Sequence, residues 1–365
     1  GGMSVLPMTM SGWVLTGHGG PEVLEWRTDL PVPVAGPGEV LIAVRASSVN
    51  NTDINTRIGW YSKSVRGATD GNAVGDDAGD GGWNGALSFP RIQGADCCGI
   101  VVATGPGVET GRVGERVVTR AMHRVENGGP FDIATLGSER DGGFAEYMTA
   151  RAADACAVHA DAITDAELGA LPCAYSTAEG MLDRVSLSAE RVLITGASGG
   201  VGLAAVQLAR LRGAEVTAIA GGDKGAAVAK AGAQHVIGRD DPLPDGFDVV
   251  VDLVAGPRWP DMLAALRRGG RYVTSGAIAG PIVELDIRDL YLRDLTLMGS
   301  TAQPDHIIPT LIAHMEAGRL HPVIAASYDL RDMAAAQAAF TAKQHVGKIA
   351  LRVATGERGT GQSGG

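Results

Sequence analysis

Residues 191–202 read Arg-Val-Leu-Ile-Thr-Gly-Ala-Ser-Gly-Gly-Val-Gly. The apolar run Val192-Leu193-Ile194 predicts a buried strand, and an amphipathic helix is expected over Val201–Arg212. Between them lies the turn Gly196-Ala197-Ser198-Gly199-Gly200-Val201-Gly202. A strand that turns directly into a helix presents the helix's free N–H groups at the turn. Glycine there lets the backbone approach a pyrophosphate, whose charge is favoured at the helix N-terminus. Ser198, Gly199, Gly200 and Val201 are therefore the expected phosphate contacts of a dinucleotide. A glycine pattern alone is weak, and its neighbours give it weight.

Those neighbours alternate. A strand is expected at Glu215–Ala220, a helix near Lys224–Ala231, and short strands at His235–Ile237 and Asp248–Val251. A helix over Trp259–Arg268 and a strand at Arg271–Ser275 follow. Strands alternating with helices mean βαβ units and a parallel, doubly wound sheet, an α/β fold of the Rossmann type. Upstream the pattern is different. Strands at Val40–Val44, Gly99–Thr104 and Arg116–Thr119 are separated by Gly-Pro turns, with little helical periodicity before a helix at Thr164–Ala170. Downstream of Ser300 come helices at Ile307–Ala317 and Leu330–Ala342 and a strand at Lys348–Val353. Two domains are expected: a nucleotide-binding one over 173–302 and a β-rich one over 9–172 plus 303–353. Flexible termini are expected at 1–8 and 354–365, with Gly1-Gly2 ahead of Met3 read as an added remnant.

The end of the second strand distinguishes NAD from NADP. An acidic residue there would bind the ribose 2′-hydroxyl and repel a 2′-phosphate. This chain has Ala220-Gly221-Gly222, then Asp223-Lys224, and Arg239 after the next strand. Small residues leave room, and Lys224 and Arg239 supply positive charge. NADP(H) is the expected cofactor, with Asp223 as counter-evidence should its carboxylate face inward.

Composition narrows the function classes. With 45% hydrophobic residues among 365, the chain has material for a full core. A net charge of −10 argues against nucleic acid as the main partner. No apolar run reaches the roughly 18–20 residues of a membrane helix, so no membrane partner is expected. Cys97, Cys98, Cys156 and Cys173 form no CxxC pair, and a reducing cytoplasm suits them better than a disulfide framework. Glycines recur from Gly59 to Gly85 in a loop over 59–88. It reads either as a mobile surface insertion or as a cover over a site, with Trp60 and Tyr61 at its start.

Four segments together carry a family resemblance: Gly94-Ala95-Asp96 leading into Gly99-Ile100-Val101, Gly142-Gly143-Phe144-Ala145-Glu146-Tyr147, Ala197–Gly202, and Gly347-Lys348-Ile349. In these the chain resembles the medium-chain dehydrogenase/reductase superfamily over residues 9–353. The Ala-Ser-Gly-Gly-Val-Gly turn looks most like its zinc-independent quinone oxidoreductase and enone reductase branch. The resemblance implies a GroES-like catalytic domain beside the Rossmann domain. It also implies a homodimer paired through the last strand of the nucleotide sheet, here Leu295–Ser300.

The resemblance also bears on metal. Zinc alcohol dehydrogenases carry ligand residues at the positions of Asn50, Ala95 and Cys173, and only Cys173 is retained as a ligand type. No catalytic or structural zinc is expected, since one thiol does not make a three-ligand site. A rebuilt site from Asp53, Asp96 and Cys173 is the alternative. Asn50 stands where the zinc-free branch has an Asn, and its amide is expected to hold a substrate carbonyl or the nicotinamide ribose, or else to cap a turn. Tyr61 is placed by resemblance beside the substrate as a hydrogen-bond or proton donor, or it is an aromatic packing residue. Thr52 matches a hydroxyl relay. Thr177, Val254, Ser275, Gly276 and Ala277 are expected near the nicotinamide, and Lys348 near the phosphates. Cys97 and Cys98 are expected on opposite faces of a strand. His123 and His159 match no motif and are expected on the surface or in loops.

The activity implied is hydride transfer from NADPH to a small quinone or α,β-unsaturated carbonyl, acceptors that need no Lewis acid. Two alternatives stand beside it: an alcohol or aldehyde dehydrogenase with an unorthodox metal site, and an NADPH-binding protein without turnover.

Overall fold

Two sheets divide the chain, one antiparallel for the most part and one wholly parallel. The computed structural model describes residues 5–62, 66–67 and 87–354. Most of the expected 59–88 loop, Gly1-Gly2 and the tail Gly356–Gly365 lie outside the described residues.

Strands β1 (Thr9–Leu15) and β2 (Leu24–Pro31) form a separate antiparallel pair. Then comes β3 (Glu39–Ser48), whose residues are nearly all buried, so it lies inside its sheet with neighbours on both edges. Helix α1 (Asn51–Ile58) follows, then β4 (Cys98–Thr104), β5 (Arg116–Thr119), β6 (Met122–Arg124), β7 (Ile133–Thr135), β8 (Tyr147–Arg151) and β9 (Ala155–Ala157). β3 pairs β4 and β8, and β4 pairs β5, which pairs β9. Cys98 packs into the large core beside the nucleotide sheet and Cys97 into the core of the β-rich domain, so the two thiols do face opposite ways. Their burial raises both thiol pKa values.

Helix α2 (Asp165–Gly169) starts at Thr164, whose hydroxyl accepts the Glu167 N–H while the Glu167 carboxylate accepts the Thr164 N–H. This reciprocal cap explains why the helix begins there. Helix α3 (Pro172–Arg184) crosses into the second domain, so Cys173 sits in its first turn rather than before it. Next come β10 (Arg191–Ile194), α4 (Gly200–Leu211), β11 (Glu215–Ile219), α5 (Gly225–Ala231), β12 (His235–Ile237), β13 (Phe247–Asp252), α6 (Trp259–Ala265), β14 (Leu266–Thr274), α7 (Ile287–Leu292) and β15 (Thr296–Gly299). The parallel order is β12-β11-β10-β13-β14-β15. Alternation along β10 sends Val192 and Ile194 to the core shared with α3 and α4, and Leu193 to the core with Trp259, Met262 and Leu263 of α6. The sheet is therefore covered on both faces, as a doubly wound fold requires.

Helix α8 (Ile307–Glu316), strand β16 (Ile324–Asp329), helix α9 (Met333–Ala342) and strand β17 (Lys348–Arg352) complete the chain. β17 pairs β3 antiparallel, with Ala350 opposite Ser48, and so returns the chain to the first sheet. α8 packs its Ile307, Ile308, Leu311 and Ile312 into the large core with α3, so residue 303 is no clean boundary between cores.

Three local expectations are corrected. The helix expected over Trp259–Arg268 stops at Ala265, because Leu266 already pairs with Phe247 as a strand. The region upstream of 164, read as having little helical periodicity, contains α1. His123, expected on the surface, is fully buried on β6. Burial, and after it the charges of Arg140, Arg151 and Arg120, lowers its pKa well below the usual value. No described helix is long and apolar enough to cross a membrane.

Candidate active site

The glycine turn closes because its last glycine is bare. A Cβ on Gly202 would lie 2.0 Å from the Gly196 carbonyl oxygen. Gly196 itself has φ of +58°, a left-handed conformation that favours glycine. Gly199 is different. Its φ of −77° suits any residue, and a Cβ there would meet nothing nearer than 3.6 Å. Neither packing nor conformation demands glycine at 199, and its bareness leaves the backbone there open to approach from outside. α4 then starts with no side-chain cap. This is a cradle that a pyrophosphate fits.

A cleft of about 270 Å³ runs from this cradle to the β-rich domain. From the nucleotide side it is lined by Thr177, Gly199, Gly200, Val201, Ser275, Gly276 and Ala277, and from the other by Asn50, Thr52, Tyr61 and Lys348. Eleven residues expected from the sequence thus share one cleft. Ser198 is buried beneath the turn, where its carbonyl accepts the Gly347 N–H. Val254 flanks the turn, its side chain 3.4 Å from a Cβ built on Gly196. The Asp252 carboxylate accepts its N–H, the Ala255 N–H and the hydroxyls of Thr195 and Tyr272, tying together the ends of β10, β13 and β14.

Lys224 and Arg239 lie outside that cleft but near each other. A Cβ on Gly221 would come within 2.7 Å of Arg239 Nε, so the guanidinium lies across the end of β11. Burial first, then the neighbouring Arg239 charge, lowers the Lys224 pKa. Its ammonium donates to the Lys343 carbonyl of the β-rich domain.

The other end of the cleft is a charged cluster. Asn50 opens α1 at its N-cap position, and its N–H donates to Asp53 Oδ2 at 2.7 Å. Its side-chain amide is committed at both ends. Nδ2 donates to Asp96 Oδ2 at 2.8 Å, and Oδ1 accepts from Lys348 Nζ at 2.5 Å. Asp96 is wholly buried and also accepts the Ser48 hydroxyl and the Cys173 N–H. Burial is the main reason the Asp53 carboxyl is pushed up to about 7; the nearby Asp96 adds to it and the Asn50 N–H opposes it. The Tyr61 hydroxyl donates to Thr52 Oγ1 at 3.1 Å, which joins those two residues at the cleft wall.

Lys348 lies against the cradle, its Cδ 2.9 Å and its Nζ 3.7 Å from a Cβ built on Gly200, and its ammonium donates to Asn50 Oδ1. The physical reason is burial: at 3% exposure it must find oxygens, and those of Val49 and Asn50 are in reach. Sequence reasoning missed Thr301 and Phe340 in the cleft lining, and no local pattern marks either. It also left Asp96 outside the working site, although its position in Gly94-Ala95-Asp96 was the available signal.

The donor set does not fit zinc. At the three positions compared, Asn50 offers an amide already bonded at both ends, Ala95 has no ligand atom, and Cys173 is the one ligand type left. Among the described residues no group of three or more His, Cys, Asp or Glu side chains is arranged to hold a metal.

Two family models match the chain. The alcohol dehydrogenase GroES-like domain matches residues 36–160, and the zinc-binding dehydrogenase domain matches residues 200–317. A quinone oxidoreductase from Lama guanicoe is 32% identical over 354 residues, 91% of this chain and 94% of that protein. A crystal structure assigned as an alcohol dehydrogenase from Sinorhizobium meliloti 1021 superposes with a TM-score of 0.85 at 43% identity, covering 95% of this chain and 98% of that one. The 2-octenoyl-CoA carboxylase reductase CinF, solved with NADP and 2-octenoyl-CoA, gives a TM-score of 0.81 at 25% identity, over 96% of this chain and 89% of that one.

Proposed function

We propose, from the premise that this chain belongs to the medium-chain dehydrogenase/reductase superfamily in its quinone oxidoreductase-like branch, that it is a zinc-independent, NADPH-dependent reductase of small quinones or α,β-unsaturated carbonyls. The observation that carries the reading is the single cleft that joins the bare glycine cradle to Asn50, Thr52, Tyr61 and Lys348. Bound along the cradle, the cofactor would supply a hydride at its nicotinamide. Thr177 and Ser275–Ala277 flank the place where that ring would lie. Tyr61, held by Thr52, is the proton or hydrogen-bond donor on the substrate side.

Supporting NADPH over NADH is the pair Lys224 and Arg239 at the end of β11, where an NAD enzyme would place an acid. Supporting a zinc-free reaction is the donor set just described. A homodimer and a cytoplasmic setting belong to the same reading. β15 is an edge strand, and Ile287, Tyr291 and Leu292 of the adjoining α7 are each more than half exposed.

The test is NADPH oxidation, followed by absorbance, by chelator-treated protein with a panel of quinones and enones, NADH being run in parallel. Turnover with NADPH and at least about tenfold less with NADH is expected, the discrimination of one good ionic contact. NADPH bound but no acceptor reduced across the panel sinks the reading.

A further inference from the structure

Lys348 stands at an unusual point of the cleft. Its ammonium donates to the Val49 carbonyl at 3.0 Å and to Asn50 Oδ1 at 2.5 Å. An ammonium has three donors, and the third has no acceptor within hydrogen-bond reach among the described residues. The nearest carboxylate oxygen, Asp96 Oδ2, is 3.9 Å away and is already shared between Ser48 and Asn50. A buried cation is costly unless fully paired. Here both short contacts are to neutral oxygens, and the one nearby anion is divided among several partners. The result is a partly compensated positive charge on the cleft wall.

That charge sits among the positions where zinc relatives hold their metal, beside Asn50 and the first turn of α3. In conjugate reduction a hydride and its electron pair form the new C–H bond at the carbon β to a carbonyl. The C=C pair moves toward the carbonyl carbon and the C=O π pair ends on oxygen. The reduced nicotinamide is the reductant, and a proton taken up at the α-carbon completes the balance. The oxygen passes through a full negative charge, and a preorganised cation is what that oxygen needs.

We infer that Lys348 is a catalytic residue, whose third N–H bonds the developing oxyanion in the role a Lewis acid fills elsewhere, with Asp96 and Asn50 as the positioning residues that hold it. This rests on the reductase reading above. It goes beyond that reading, which names Tyr61 as the hydrogen-bond or proton donor, in giving the oxyanion to Lys348.

The experiment compares wild type with Lys348→Met and Lys348→Arg. Lys348→Met/Asp96→Asn is made alongside, so that a folded variant lacking the cation is available without an orphaned carboxylate. Three quantities are read: kcat and KM with an enone, NADPH affinity by fluorescence, and the ionisation of 4-nitrophenol added to the protein saturated with NADP. In wild type the bound phenol is expected to ionise at lower pH than in water. In both Met variants that shift disappears, kcat falls by about 10²–10³-fold, NADPH affinity changes by less than about threefold, and Arg restores part of kcat. Met variants that weaken NADPH binding but keep kcat and the phenolate shift overturn the inference and make Lys348 a phosphate holder. A wild type that reduces no acceptor but shifts the phenol removes the reductase reading and leaves the oxyanion site standing. A wild type that does neither overturns both.

Discussion

At the cradle end of the cleft the working polar groups belong to the backbone, and what makes them work is the lack of side chains at Gly199, Gly200 and Gly202. At the other end they are side chains, Asn50, Asp96 and Lys348, whose charges are buried and shared. The first end is built from seven consecutive residues. The second gathers residues 48–53, 96, 173 and 348 from four separate segments. A site made of backbone writes itself into local sequence, because only glycine permits it. A site made of paired side chains leaves no local trace, since each member is an ordinary residue until the fold brings its partner.

The comparison breaks most visibly if Asp96 is removed. Asp96→Ala leaves the Lys348 ammonium buried without an anion, and the Ser48 hydroxyl and Cys173 N–H without an acceptor. Loss of one partner of a buried pair costs about 3–5 kcal/mol. The expected outcome is an unfolding free energy in urea lower by that amount at unchanged slope; a loss below about 1 kcal/mol contradicts the cluster's role. The cradle is tested by a pair of substitutions. Gly202→Ala drives a Cβ against the Gly196 carbonyl and is expected to cost about 1–3 kcal/mol. Gly199→Ala has room and is expected to leave the melting temperature unchanged while weakening NADPH binding at least about tenfold, one charge-assisted contact's worth. Equal melting losses for the two would show that both glycines serve packing alone.

The smallest effect is in pH. Between its ordinary value near 4 and about 7, Asp53 keeps a proton in the folded state that the unfolded chain has lost. Stability therefore falls as pH rises through that window, by at most about 1.4 kcal/mol per pH unit. His123 acts the other way. It stays neutral when folded, while the unfolded chain takes up a proton below about 6.5, so its contribution is lost as pH falls. Asp53→Asn should uncover the rising limb of His123, and His123→Leu the falling limb of Asp53, in urea titrations from pH 4.5 to 8 spaced about half a unit apart. Identical slopes in both variants and wild type would show that neither group titrates differently on folding.

How much of this was legible follows the same division. The parallel sheet could be read because its strands are continuous apolar runs and its turns carry glycine. The start of α2 near Thr164 could be read because the signals that begin it are local. Helix α1 could not: in Asn-Thr-Asp-Ile-Asn-Thr-Arg-Ile the only apolar residues are Ile54 and Ile58, and beside them the helix buries Asp53, Asn55, Thr56 and Arg57. Helical periodicity has little to report when most of the inward face is polar. The overrun of the helix past Ala265 has a similar origin, since Leu266 is drawn into β14 by a distant partner, Phe247. His123 lies on a three-residue strand, and only tertiary packing hides it. Half of the residues lining the cleft were expected from the sequence. What each of them touches was not, as Asn50 and Lys348 show.

The contact between Lys348 and Asn50 spans 298 positions of the chain. During synthesis the glycine cradle leaves the ribosome about 150 residues ahead of Lys348, and pairing of β17 with β3 must wait for the last of them. Contacts so distant in sequence are the slow ones to form, because loop closure comes before any reward. A nascent or clipped chain lacking β17 therefore has the glycine turn but no Lys348 ammonium at the far end of the cleft. Completion of the polypeptide is what brings the two ends of the cleft together.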